Sequence, residues 1–257
     1  LNRFLRSRLA NAEAMLSLNH KRSKTLREET VLGEDRLSVL GAQLTFDYVD
    51  AFLNGGISQG AFGISRGLSG FLGAMDDDGD GMSSRVGGSG ERGGGDFSKL
   101  NLSLVRLQQL SENHSLLLRL EGQYWSDLLV SLEQSSLGGP GNVRAYGPSE
   151  YLRDSSLFGS IEWIIKAPGF ADEPAFSGRT WGEVLQVSLF YDAAKGWLND
   201  PLGSEVRELD LSGSGVGIQL ALSKALNVRL DVAFPRSGLE PQNERDPQYY
   251  FSISYQY

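Results

Sequence analysis

The chain of 257 residues contains no cysteine. Disulfides, thiolate nucleophiles and cysteine zinc sites are therefore excluded. Its two histidines, His20 and His114, lie far apart, and neither has a second ligand beside it in the sequence. Positive charge is in deficit, with 24 lysines and arginines against 32 acidic residues and a net charge of -8. A phosphate backbone meets no general attraction on such a chain, so nucleic acid is not an expected partner. Long apolar runs are missing too, and nothing approaches the ~18 residues that a membrane-spanning helix needs. A β-barrel crosses a membrane with strands and passes that test unseen. The 32 glycines follow no Gly-X-Y period and prolines number only eight, which excludes collagen and argues against wholesale disorder. Leu1 opens the chain without a methionine or a signal-peptide pattern, so the expectation is a fragment or a processed chain.

What is present is alternation. Leu226, Val228, Leu230, Val232 and Phe234 share one parity, and Asn227, Arg229, Asp231 and Ala233 the other. A period of two is strand geometry, because successive side chains point to opposite faces. Tyr249, Phe251, Ile253, Tyr255 and Tyr257 repeat it at the C-terminus. Similar segments run through Val216 to Leu222, Leu185 to Asp192, Leu157 to Trp163, Leu116 to Tyr124, Leu100 to Leu104 and Leu40 to Tyr48. Weaker ones occupy about 10 to 21 and 58 to 73. The count is roughly ten strands with no convincing helix.

The links between these segments alternate in length. Short ones near Asn54, Ser111 to Asn113 and Ser223 to Ala225 alternate with long polar ones at about 22–34, 75–95, 131–155, 193–207 and 235–247. Residues 167–180 break the rule, being long on the short side. Short turns at one end and long loops at the other, with an apolar face opposite a charged one, describe an outer-membrane barrel with a wet lumen. A soluble β-sandwich also alternates and is the competing reading.

Several chemical-looking patterns carry no chemistry. Gly88 to Gly93 fits GxGxxG, but lies in a loop that leads into a strand instead of a helix. Gly63 to Gly67 fits GxSxG without the strand-to-helix turn that a nucleophile elbow requires. Asp76, Asp78 and Asp80 open like a calcium loop, yet Gly87 stands where the bidentate glutamate belongs, which leaves only weak cation candidates. Glu121, Glu162, Asp192, Asp231, Arg119 and Arg229 share the polar faces of strands, and no two form an acid–base pair. No catalysis, metal or cofactor is expected.

The segment Leu137-Gly-Gly-Pro-Gly-Asn-Val-Arg-Ala-Tyr-Gly-Pro-Ser-Glu150 adds a specific signal. It resembles the lumen-loop signature of two-partner-secretion transporters, the hemolysin-activator family, and is followed by Glu162 in Phe158-Gly-Ser-Ile-Glu-Trp163. Downstream, Phe190-Tyr-Asp-Ala-Ala194 resembles the F-x-D-x-G strand motif of the same family, with Ala194 in the glycine position.

The resemblance implies an all-β transmembrane antiparallel barrel, of which this chain would supply about ten C-terminal strands of an expected sixteen. On that reading residues 1–257 are the C-terminal part of the barrel, with the signature loop at about 131–155; transport-associated domains and the first strands would lie upstream. Val143, Arg144, Ala145 and Tyr146 would form the loop that folds into the lumen, and Glu162, Phe190 and Asp192 would receive it. The implied function is export of a large, unfolded passenger protein through the lumen without nucleotide. The implied partners are that passenger, the lipid bilayer of the bacterial outer membrane, and the missing strands or another chain at the open edge. A barrel-assembly insertase of the same superfamily and a passive porin or surface barrel are the alternatives.

Overall fold

The computed structural model describes residues 2–77, 81–125, 127–242 and 246–256. Eleven strands form one antiparallel sheet in sequence order. They are β1 (Asn2–Arg6), β2 (Ala10–Arg27), β3 (Thr30–Asp50), β4 (Gly56–Gly67), β5 (Ser98–Gln109) and β6 (His114–Tyr124), then β9 (Ser155–Lys166), β10 (Leu185–Trp197), β11 (Glu208–Ala221), β12 (Leu226–Ser237) and β13 (Gln248–Tyr255). Two short strands, β7 (Ser135–Leu137) and β8 (Tyr151–Arg153), make a separate hairpin inside the β6–β9 link. The eleventh strand of the sheet is β1, whose polar text hides its pairing with β2.

Pairing register carries the alternation across the sheet. Trp163, Leu189, Val216, Val232 and Tyr249 are directly opposed on successive strands, a continuous apolar row. Side chains of this face stand without cover: Tyr249 is 65% exposed, Leu189 46% and, on β2, Leu16 79%. An open apolar surface of this extent is a membrane interface, since water would not tolerate it on a soluble monomer. The same rows explain the mean hydropathy of -0.24, in which an apolar outer face is averaged with a polar inner one. Among the described residues no helix is long and apolar enough to cross a membrane.

The inner face is concave. One cavity is lined together by Ser17 on β2, Gln43 on β3, Asn101 on β5, Glu121 on β6 and Asn142 of the β7–β8 loop. A sandwich would instead cover the apolar face with a second sheet; here the buried apolar cluster lies on the inner side, between the loop and strands β9 to β12.

Three expectations change. Residues 22–34 are not a loop: β2 and β3 continue as a ribbon to a turn at Glu28 and Glu29, both at positive φ. Its polarity on both faces reads as loop, but cross-strand pairing satisfies the charges, with Arg22 and Lys24 at 2.7 and 3.2 Å from Glu34. His20 accordingly lies within β2, not at a strand end, with Nδ1 3.1 Å from Ser38 Oγ. Finally, the irregular 167–180 link leads into a single helical turn, α1 (Trp181–Val184). It starts where the Glu183 carboxylate accepts the Thr180 amide at 2.8 Å, a local capping contact.

Candidate functional site

The β7–β8 hairpin holds a loop whose conformation follows from its own residues. Gly138 and Gly139 have φ of 98° and 103°, and a Cβ on Gly138 would strike the Gly147 carbonyl. Only glycine occupies such positions without strain, which accounts for the paired glycines. Asn142 Oδ1 accepts the Val143 amide at 3.0 Å, Tyr146 donates its amide to the Val143 carbonyl at 3.1 Å, and Glu150 accepts the Gly147 amide at 2.6 Å. The loop is thus a folded unit with Val143, Ala145 and Tyr146 fully buried. Tyr146 donates its hydroxyl to the Ser237 carbonyl at 2.9 Å, and Tyr250 on β13 donates to the Tyr146 carbonyl at 2.5 Å.

Arg144 projects from this unit onto the sheet. Its Nε and Nη2 donate to the two oxygens of Asp192 at 2.8 Å each, and its backbone amide donates to the same carboxylate at 3.1 Å. Nη1 donates to Glu162 at 2.7 Å, and the guanidinium lies 3.4 Å from the centroid of the Phe190 ring. Ser160 donates its hydroxyl to Asp192 at 2.7 Å. Bidentate pairing uses the planar fork of arginine, which lysine cannot reproduce. All of this is out of water: the Arg144, Glu162 and Asp192 side chains are 2%, 3% and 1% exposed.

The structure therefore brings together Val143, Arg144, Ala145, Tyr146, Glu162, Phe190 and Asp192 in one place. Ala194 packs into the same buried cluster, so alanine is accommodated where the resemblance has glycine. Asp76 is exposed in the β4–β5 link; Asp78 and Asp80 lie outside the described residues, as does Tyr257. Among the described residues no group of three or more acids or histidines is placed to hold a metal ion.

Sequence reasoning missed the seat of the loop. Gly213, Gly215 and Gly217 alternate along β11 on the inner parity. A Cβ would collide with Ala145 at Gly213, with the Phe190 ring at Gly215, and would stand 2.5 Å from Asp231 Oδ1 and Ser188 Oγ at Gly217. The bare strip is what lets the loop approach the sheet. A Gly-x-Gly-x-Gly run in the lumen-facing parity was the available signal. Arg229 and Asp231 on β12 also join the site: Arg229 donates to Glu162 at 2.8 Å and to both oxygens of Asp231 at 2.8 Å.

At the long-loop end other links pack over the inner face. Glu133, 1% exposed, receives Lys21 of β2 at 2.6 Å and Lys99 of β5 at 2.8 Å. Arg85 in the β4–β5 link pairs with Glu205 in the β10–β11 link at 2.7 Å, and Ser89 donates to Asp200 at 2.6 Å.

A sheet that is apolar outside and charged inside, with an arginine loop seated on its inner face, defines a transmembrane β-barrel protein. Residues 2–160 match the haemolysin secretion/activation protein ShlB/FhaC/HecB family, and the chain belongs to that family, whose place is the outer membrane. No curated protein matches it. Among solved structures it is similar to CdiB from Escherichia coli, with a TM-score of 0.75 and 17% identity over 98% of this chain and 43% of that one. It is similar to CdiB from Acinetobacter baumannii, with a TM-score of 0.68 and 17% identity over 99% of this chain and 40% of that one. At this identity the likeness concerns the fold. The chain spans about two fifths of the length of those proteins.

Proposed function

We propose that this chain is the C-terminal part of a barrel that exports a large partner protein, crossing the lumen unfolded and without nucleotide. The observation that carries the reading is the buried Arg144 loop: a folded plug that stands in the lumen, fixed to the wall by one guanidinium and two carboxylates. A group that fills the path must leave or shift for a chain to pass, and an ion pair is a contact that can break and re-form without covalent change. The upstream strands and transport-associated domains would complete the barrel and receive the passenger. No catalytic role is assigned to the lumen charges.

The test is secretion. Arg144→Ala and Asp192→Ala in the full-length protein should each reduce the partner protein recovered outside the cell while the barrel still reaches the outer membrane. Wild-type secretion by both variants would overturn the reading. Loss of other outer-membrane barrels in the Arg144→Ala strain would point instead to barrel assembly.

A further inference from the structure

Glu162 accepts a hydrogen bond from each of two arginines. Its Oε2 accepts from Arg144 on the loop at 2.7 Å, and its Oε1 accepts from Arg229 on β12 at 2.8 Å. Arg229 reaches β9 from β12 across β10 and β11, and Gly217 leaves the room: a Cβ there would stand 3.3 Å from Arg229 Nη2. Asp231, two residues along β12, holds the same guanidinium by its Nε and Nη2 at 2.8 Å each. Asp192 has a different supply. Its cationic partner is Arg144, its remaining donors being the Arg144 amide and the Ser160 hydroxyl. On β6, Arg119 donates to the Gly141 carbonyl at 3.1 Å, so that arginine holds the loop backbone instead.

We infer that Arg229 is a standing partner for Glu162, a positioning residue that keeps this carboxylate paired when Arg144 leaves. Withdrawal of the loop then uncovers one carboxylate, Asp192, and not two. Leaving a buried carboxylate without its cation is costly, so halving the number uncovered lowers the barrier to release. The inference rests on the reading above, in which the loop moves.

The experiment follows loop release directly. The 257 residues contain no cysteine, and Val143 of the loop is fully buried, so a thiol in Val143→Cys is labelled only when the loop leaves its seat. Labelling rates are compared in the full-length protein in outer membranes. Removing the standing partner with Arg229→Gln and Asp231→Asn together leaves Arg144 as the one cation on Glu162. Labelling should slow roughly tenfold or more, the scale of coupling between close charge pairs. With Glu162→Gln added, the same pair of changes should have less than about a twofold effect, because position 162 then carries no charge for Arg229 to hold. Arg229→Lys keeps the charge but not the fork, and should give an intermediate rate. Faster or unchanged labelling without Arg229 and Asp231, or equal slowing in both backgrounds, would overturn the inference. A thiol that stays unlabelled even with Arg144→Ala would overturn the loop movement, and the inference with it.

Discussion

Arg144 and Asp192, 48 positions apart, meet through two side-chain hydrogen bonds of 2.8 Å in a space sealed from water. Breaking one side of such a pair costs about 3–5 kcal/mol, because the other charge is left buried alone. Arg144→Ala and Asp192→Ala should therefore each loosen the loop strongly, and the double variant should be much less damaged than their sum. Limited proteolysis of the 138–150 segment in detergent-solubilised barrel measures this. Additive effects would show that the two residues act separately.

The glycine strip on β11 makes an independent expectation. Gly213→Val places side-chain atoms where Ala145 now sits, so it should expel the loop as Arg144→Ala does, although no charge changes. Gly63→Ala, on the inner face of β4 with nothing nearer than 3.9 Å, should leave the loop seated. Proteolysis of the two variants separates the outcomes; equal protection of the loop in both would show that β11 is not its seat.

Legibility differed with the range of the interaction. Strands such as β12 and β13 were readable because alternation is local and each residue reports its own face. The β2–β3 ribbon was misread because both its faces are polar, and the charge pairs that support it lie across strands, as with Arg22 and Glu34. The turn α1 carried a local signal in Thr180 and Glu183 that the strand pattern around it obscured. Glu162, Phe190 and Asp192 were legible through parity together with motif. Arg229 carried parity alone, and its bond to Glu162 spans 67 positions, which no spacing rule can reach.

The two faces of β5 offer a test of orientation in the membrane. Leu102 points outward between Phe62 and Gly122, whereas Ser103 lies opposite Glu121 on the lumen side. Leu102→Arg should cost about 2–4 kcal/mol if it sits near the bilayer midplane and should reduce the folded barrel recovered from outer membranes. Ser103→Arg gains a carboxylate across the strand pair and should be tolerated. Heat-modifiable mobility on gels measures the folded fraction, and the reverse ranking would invert the assignment of faces.

The last expectation concerns acid and the loops outside the membrane. Asp200 is held below its ordinary range chiefly by the Ser89 hydroxyl, with help from the Ser89 amide. Burial on its own would raise Glu205, but its hydrogen bond to Arg85, the Leu202 amide and the charge of Arg85 outweigh that and hold it low. Both carboxylates join the β10–β11 link to the β4–β5 link. A carboxylate with a depressed folded value binds fewer protons folded than unfolded. Its contribution is therefore complete above the ordinary carboxylate range and lost as pH falls through the folded value. The two links should stay docked at neutral pH and separate in acid, below about pH 4, while the strands persist. Hydrogen exchange at the Ser89 amide, which Asp200 now accepts, should speed up relative to amides of β10 as the pH is lowered, after correction for intrinsic rates. Asp200→Asn should release the Ser89 contact in part at neutral pH and remove most of its acid dependence. Acid dependence that survives both Asp200→Asn and Glu205→Gln would place the sensitive group elsewhere.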